Sequence, residues 1–345
     1  MARILYGISG DGFGHATRSK EVLTHLQTSG HELLIVSYDK GYEMLAKSFR
    51  VKKINGLRLE YAHNEVKYLA TVAKNIMKSK ANIKSLDKVL SLAKKFKPDL
   101  VITDFEPTVT LAANWLNLPL ISLDNMHVIT QAKIEVPEKW RTNYLTTKLV
   151  IKLMVVHATK YLILSFFPVK TRSAKALIVP PILRQEILDL KATSGKNILV
   201  YLTAADDSIL PILRASSATY TIYGFNRSGR EANLTFKKLG SKDYLADLAS
   251  AKAIIATAGF SLLSEALYLS KPYLALPIKN QFEQTLNAYY LQKLGYGLMT
   301  EKLSATVLKN FLAKLSKFEK KLLSYKAQNN STALAVLDKT IKELL

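Results

Sequence analysis

The stretch "GISGDGFGHATRS", residues 7–19, follows directly on the apolar run "ARILY" (residues 2–6). Four glycines (Gly7, Gly10, Gly12 and Gly14) lead into His15 and then into "ATRSKEVLTHLQTSG" (16–30), whose apolar spacing is helical and whose stop is Gly30. A strand, a bare turn and a helix in that order predict the opening unit of a parallel α/β sheet. Glycines let a backbone approach a ligand closely, and the helix start adds unpaired N–H groups and the positive end of the helix dipole. The spacing is G-x-G-x-G, not the dinucleotide fingerprint G-x-G-x-x-G. Asp39 stands where that fold keeps its ribose-binding acid, yet a nicotinamide site does not call for His15 at the mouth of the turn. The plain alternative is a tight turn with His15 as an ordinary helix-start residue.

Working outward, "HELLIVSY" (31–38), "PDLVITD" (98–104) and "LPLISL" (118–123) repeat the strand pattern, with the helical "TVTLAANWLN" (108–117) between the last two. Each ends in a polar loop: Gly10–His15, Asp39, Asp104–Glu106 and Asp124–His127. In open parallel sheets ligands gather at those carboxyl ends. The pattern restarts after the paired prolines of "IVPPI" (178–182) with "KNILVYLT" (196–203), "ATYTIYGF" (218–225), "KAIIATAG" (252–259) and "KPYLALPI" (271–278) as strands among helical segments. This predicts two doubly wound α/β domains facing across a cleft: 1–178, 179–325, and a C-terminal helix at 326–345 packing back on the first.

The chain has 345 residues, enough for two cores, and no cysteine, which excludes disulfides and thiolate metal sites and suits a cytosolic protein. No signal peptide or spanning helix is expected from the sequence given, and localisation is expected to be cytoplasmic, with peripheral binding to the inner face of the membrane. The net charge of +22 is concentrated: Lys139–Gln185 holds nine cations and no acid, and Val66–Pro98 holds nine lysines and one aspartate. Such a field favours an anionic partner, whether nucleic acid, acidic lipid headgroups or a phosphorylated substrate. The alternative is a solvated basic surface.

Two further motifs carry chemistry. In "ATAGFSLLSEALYLSKPYLALP" (256–277) a strand ends at Gly259 and a helix begins at Phe260–Ser261, a place for a diphosphate. Glu265, one turn in, can accept hydrogen bonds from ribose hydroxyls or simply stabilise the first turn. "IKNQFEQTLNA" (278–288) gathers Asn280, Gln281, Glu283 and Gln284, groups that both donate and accept as sugar hydroxyls require; the alternative is an ordinary polar loop.

Together "GFGHATR", "GFSLLSEAL" and "QFEQTLNA" resemble the nucleotide-sugar glycosyltransferases of GT-B fold, in their family-28-like branch. That branch includes the lipid II-forming N-acetylglucosaminyltransferase, diacylglycerol glycosyltransferases and teichoic-acid-type transferases. The resemblance spans roughly residues 3–300 and implies two Rossmann-like domains. It implies a UDP-sugar held by the second domain, with the diphosphate at Gly259, Phe260 and Ser261 and the ribose at Glu265. Glu283 and Gln284 take the sugar hydroxyls with Gln281 adjacent, and Phe225 lies where the family holds uracil. In the first domain the turn Gly12, Phe13, Gly14 faces the reacting centre, and His15 matches the family's histidine. One departure stands out: "VYLTAADDS" (200–208) replaces the family's glycine- and serine-rich loop. Thr203 and Ala204 still offer backbone N–H groups, whereas Asp206 and Asp207 repel a diphosphate unless they point away.

The implied reaction is a metal-independent inverting displacement, with no cofactor beyond the UDP-sugar co-substrate. It needs a base for the acceptor hydroxyl and stabilisation of the departing diphosphate. His15 is the first choice for base; Asp104 and Glu106 of "TDFEP" are the rival carboxylates or its orienters. The acceptor is expected to be a lipid-linked or cell-envelope hydroxyl or glycan. "NYLTTKLVIKLMVVHATKYLILSFFPVK" (143–170), with Lys148, Lys152 and Lys160 among aliphatic runs and Phe166 and Phe167 near its end, reads as a basic amphipathic segment at an anionic membrane surface or as core with exposed lysines. Two other readings stand beside this one. A non-hydrolysing nucleotide-sugar epimerase shares the architecture, and a non-catalytic basic nucleotide- or nucleic-acid-binding protein fits the charge. Against RNA, the lysine-rich stretches carry few aromatics for stacking, so no nucleic-acid partner is expected. The sequence leaves oligomeric state open.

Overall fold

A computed structural model describes all residues except 57–60, 63–64, 67–78, 204, 241 and 242. Ala204 and much of the lysine run that starts at Val66 therefore lie outside the described residues. The described chain divides into two compact units: Met1–Ala62, Val66–Arg184 and Gln328–Leu345 form the first, and Gln185–Ala327 is the bulk of the second.

The strands of the first unit are β1 (Arg3–Ile8), β2 (Glu32–Ser37), β3 (Val51–Lys53), β6 (Leu100–Asp104), β7 (Leu120–Asp124), β8 (Lys160–Leu164) and β9 (Ala176–Val179); a separate two-stranded ribbon is β4 (Tyr61–Ala62) with β5 (Glu65–Val66). Their order across the seven-stranded sheet is β3-β2-β1-β6-β7-β8-β9, parallel throughout. Strands covered on both faces read as continuous apolar runs. Accordingly β6 and β7 are buried at every position, and so is β1 beyond Arg3.

The second unit repeats the plan with β10 (Asn197–Tyr201), β11 (Thr219–Tyr223), β12 (Gly229–Glu231), β13 (Leu234–Phe236), β14 (Ala253–Ala256), β15 (Tyr273–Ala275) and β16 (Gly297–Met299). Their order is β12-β13-β11-β10-β14-β15-β16, and β12 alone runs antiparallel to its neighbour. Its core gathers Ile198, Val200, Ile222, Ile255, Leu274, Phe311 and Phe318.

Strand order reverses direction once in each sheet, between β1 and β6 and between β10 and β14. At such a switch point the connections leave to opposite sides and open a crevice beyond the carboxyl ends, where α/β folds bind ligands. Ile8 pairs with Asp104 at the first switch point, and Tyr201 pairs with Ala256 at the second. These two strand ends carry the polar motifs singled out in the sequence.

Local chemistry explains the boundaries. The helix Gly14–Thr28 ends where Gly30 adopts φ +81° and the His31 N–H donates back to the Leu26 carbonyl. The helix Pro107–Trp115 starts with proline in its first turn behind the capping Glu106. The first unit continues past the division after residue 178 as far as Arg184. There the Leu183 N–H donates to Asn330 Oδ1 (2.8 Å), and Asn330 Nδ2 donates to the Leu183 carbonyl (2.7 Å). The helix Asn330–Leu344 that follows is tied to the same unit through Asp338 on His25 (2.9 Å) and Glu343 on Lys160 (3.6 Å).

Candidate active site

The bareness of the opening turn has three separate causes. A Cβ on Gly7 would collide with the Val109 side chain, and one on Gly10 with the Tyr38 carbonyl. Gly12 instead needs its freedom: it sits at φ +82° with open space around it. Phe13 is the N-cap residue and is exposed, with the Lys40 ammonium 5.1 Å from its ring centre, and Gly14 is the first helical residue.

Beyond this turn the helix delivers His15, Arg18 and Ser19 to one carboxylate. Asp104, the last residue of β6, is fully buried. Its Oδ1 lies 2.8 Å from His15 Nδ1 and accepts from Arg18 Nη2; its Oδ2 accepts from Arg18 Nε (2.7 Å) and Ser19 Oγ (3.0 Å). Four donors saturate the acceptor capacity of a carboxylate. Burial pushes the Asp104 carboxyl up, but the Arg18 and His15 charges and hydrogen bonds outweigh it and hold the group below the usual carboxylate range. Burial likewise opposes the Arg18 charge, and Asp104 more than restores it. Arg18 Nη1 reaches on to Asn125 Oδ1 (2.9 Å), at the end of the next strand.

His15 Nδ1 is 2.8 Å from Arg18 Nη2 as well as from Asp104. An ionised carboxylate is the stronger acceptor, so both nitrogens direct their protons at Oδ1. That tautomer leaves Nε2 with its lone pair. The ring is 16% exposed, against 0% for its carboxylate partner, and it stacks at 12° on Phe105 with centroids 6.4 Å apart. Phe105 holds φ +56°, a left-handed conformation costly for a bulky side chain and frequent where sites impose it.

Glu106 takes no part in this cluster. Its two oxygens accept from the Thr108 N–H (3.0 Å) and Val109 N–H (2.8 Å), so it is the N-cap of the following helix. Burial raises its carboxyl, and those N–H bonds only partly offset the rise. Of the two rival carboxylates, Asp104 meets His15 and Glu106 is committed to the backbone.

A second buried imidazole–carboxylate pair lies one strand over. Asp124 sits 2.8 Å from His127 Nδ1 and accepts from Ser122 Oγ (2.6 Å) and the His127 N–H (2.9 Å). Burial pushes its carboxyl up, and the His127 charge and hydrogen bonds bring it down to about 2.

In the second unit β14 runs out through Thr257 and Ala258 to Gly259, and the helix Phe260–Tyr268 begins with no side chain capping it. The first N–H groups of any helix lack intrahelical acceptors. Gly259 has φ −63°, a value open to every residue, and a Cβ built there would meet no atom within 4 Å. Neither conformation nor packing within the described protein requires glycine here. Ser261 is half-buried and Glu265 buried. Thr203 Oγ1 lies 2.9 Å from Thr257 Oγ1 and joins the ends of β10 and β14. Tyr273 supports the same corner, its hydroxyl donating to the Thr257 carbonyl at 2.6 Å.

Gln281 is the N-cap residue of the helix Phe282–Lys293, and its Oε1 is buried with no hydrogen-bond partner among the described residues. Glu283 Oε1 accepts from Asn287 Nδ2 (2.7 Å), which also donates to the Ala258 carbonyl (3.0 Å) and so ties this helix to the Gly259 turn. Gln284 is drawn inward to accept from the Ile278 N–H (3.0 Å), which shapes the loop. Phe225 packs on the core with its ring 6.0 Å from Phe236. The two aspartates that departed from the family pattern are engaged: Asp206 caps a short helix at the Ser208 N–H, and Asp207 lies 4.0 Å from Arg227.

Sequence reading missed Arg18, Asn125 and the aromatic corner where Tyr244 meets Tyr201 and Tyr223 with centroids 6.4 and 5.0 Å away. Arg18 had a signal, since three residues after His15 it occupies the same helix face. The others depend on strand neighbours that only the sheet order brings together. Of the two readings open for residues 143–170, Phe166 and Phe167 follow the core one: both are buried and packed edge to face at 5.1 Å. They follow a fully interior stretch of β8, so the core claims them.

Residues 2–316 match the family model described as glycosyl transferase family 1. A relative described as an uncharacterized glycosyltransferase, from Methanosarcina acetivorans, is 26% identical over 86% of this chain and 85% of its own length, and one from Methanosarcina mazei is equally similar. Among solved structures, the calicheamicin glycosyltransferase CalG4 superposes with a TM-score of 0.71 at 16% identity, covering 100% of this chain and 98% of that one. The glycosyltransferase VinC in complex with dTDP gives 0.66 at 15% identity over 99% and 98% of the two chains, and Acinetobacter baumannii MurG gives 0.64 at 16% over 99% and 100%. These likenesses establish the GT-B fold. With a family match that runs through both sheets, the chain belongs to glycosyl transferase family 1 and is a glycosyltransferase.

Proposed function

We propose that this glycosyltransferase moves a sugar from a nucleotide diphosphate donor, a UDP-sugar by its sequence resemblance, to the hydroxyl of a lipid-linked or cell-envelope acceptor, in one inverting, metal-independent displacement. The observation that carries the reading is the His15–Asp104 contact at the β1/β6 switch point. A buried carboxylate fixes Nδ1–H and leaves Nε2 to take a proton. The acceptor oxygen attacks the anomeric carbon, its proton passes to His15, and the bond to the diphosphate oxygen breaks. The departing negative charge is received by the first N–H groups of the helix opened at Gly259, where unoccupied space stands in place of a Cβ. Glu265 takes the ribose, Glu283 and Gln281 the sugar hydroxyls, and the Phe225 loop the base. Gln281 Oε1, buried without a partner among the described residues, supports that share of the work.

The acceptor side rests on the helix Arg141–Met154. Leu145, Leu149 and Leu153 form one stripe at four-residue spacing, 54, 59 and 69% exposed, flanked by Lys148 and Lys152, while Thr147 and Ile151 face the interior. Exposed Trp115 lies on the neighbouring helix, whose Asn114 bonds the Val156 carbonyl just beyond the stripe. An apolar stripe flanked by lysines suits an acidic lipid surface, each cation contributing roughly 1 kcal/mol there. Among the described residues no helix is long and apolar enough to cross a membrane.

A thermal-shift panel of UDP, GDP, dTDP and their sugars, followed by product detection with acceptors, tests the reading. Stabilisation by one nucleotide family and sugar transfer to a hydroxyl acceptor are expected. Interconversion of the nucleotide sugar without any acceptor would replace transfer by epimerisation. Binding is expected on anionic vesicles and to weaken with salt; equal partition onto neutral vesicles contradicts the electrostatic part.

A further inference from the structure

His15 does not have Asp104 to itself. Arg18, one helical turn further on, grips both oxygens of that carboxylate in a two-pronged contact that is buried with it. It also anchors to Asn125 Oδ1, so its guanidinium plane is fixed from two strands. We propose that Arg18 is a positioning residue for the transfer: by sharing Asp104 with His15 it sets the pH range over which the imidazole is free to take the acceptor proton.

A carboxylate paired only with histidine favours the imidazolium and thereby removes the base. A permanent cation on the same carboxylate offsets that pull while leaving the orienting hydrogen bond in place. Arginine suits the task because it stays charged and its fork matches a carboxylate bidentately. Other titratable groups also stand near the pair. Asp124 and His127 stand at the end of β7, Asp124 acting on Arg18 from there, and Tyr6 on β1 adds a buried hydroxyl near Asp104. Asp11 lies on the preceding turn. The Phe105 ring covers the imidazole and adds no charge.

The inference rests on His15 being the base, and the test separates the two. Arg18→Met and Arg18→Lys are compared with the parent by the pH profile of kcat/KM, by the division of any loss between kcat and KM, and by an NMR titration of the His15 imidazole assigned through His15→Ala. In Arg18→Met the acid limb and the imidazole midpoint are expected to move together to higher pH by about one unit or more. That displacement lowers kcat/KM about tenfold on the acid side of the profile and returns most of it at high pH. Arg18→Lys keeps the charge and loses the fork, so it moves the limb the same way by less; should Arg18→Met fail to fold, this variant decides. A folded variant whose limb and midpoint stay in place overturns the role of Arg18, even where turnover falls. Unchanged turnover in His15→Ala would overturn the base assignment instead.

Discussion

At the ends of β1 and β6 four donors close on the single carboxylate of Asp104. At the ends of β10 and β14 the helix start is uncapped, Gly259 borders open space, and Gln281 Oε1 is buried without a partner among the described residues. The same topological device is thus furnished in two different ways. The first corner is prearranged within the protein, as proton transfer demands of a base and its orienter. The second leaves helix N–H groups and an amide oxygen unused by the described protein, which fits the diphosphate site proposed there.

The contrast is most severely tested at Asp104. Asp104→Asn leaves the Arg18 charge buried without its counter-ion, a change that costs about 3–5 kcal/mol in comparable buried pairs. Chemical denaturation should show a loss of that size together with a deep fall in turnover; near-parental stability would mean the corner is not the closed ionic cluster described here. Asp124→Asn sharpens the point through pH. Its folded carboxyl lies at about 2, below the unfolded value, so its contribution is fully present above pH 4 and is lost as pH falls toward 2. The variant should be less stable by about 2 kcal/mol at neutral pH, with the difference closing in that acid window; a gap that persists at pH 2 contradicts the pairing.

At the open corner, Gly259→Val should raise the KM for the nucleotide sugar about tenfold or more while thermal stability moves by less than about 1 kcal/mol, because the protein itself claims no space there. Unchanged donor affinity would empty the second corner of its role. The smallest structural effect is expected on the helix Arg141–Met154. Replacing Leu145, Leu149 and Leu153 by glutamine should leave stability within about 0.5 kcal/mol per site and lower partition onto anionic vesicles roughly tenfold. Retained binding would remove the leucine stripe from the acceptor account.

Much of this was legible in the residues. Parallel strands buried on both faces advertise themselves as unbroken apolar runs, so "RILYGI", "LVITD" and "AIIA" announced the sheets, and the polar residues just past each run marked the site. That pattern singles out His15, Asp104 and Gly259 as candidates. Glu106 and Asp104 stand as rival bases or orienters in the sequence because a carboxylate at a strand end and one at a helix N-cap look alike there; the structure separates them by the two N–H groups that Glu106 accepts from. Arg18 was overlooked because a cation on a helix is ordinarily solvent-facing, and its burial follows from the carboxylate that β6 places beneath it. Composition alone leaves Phe166 and Phe167 between a membrane surface and the core; they continue a strand that is already interior, and the core takes them.

Parallel measurements of nucleotide-sugar affinity and turnover in His15→Ala test the role of His15 most directly. Turnover is expected to fall by about 100-fold or more while calorimetric affinity for the donor stays within a few-fold of the parent, since base and donor are assigned to different units. Turnover close to the parent, or donor affinity lost in step with turnover, would contradict it.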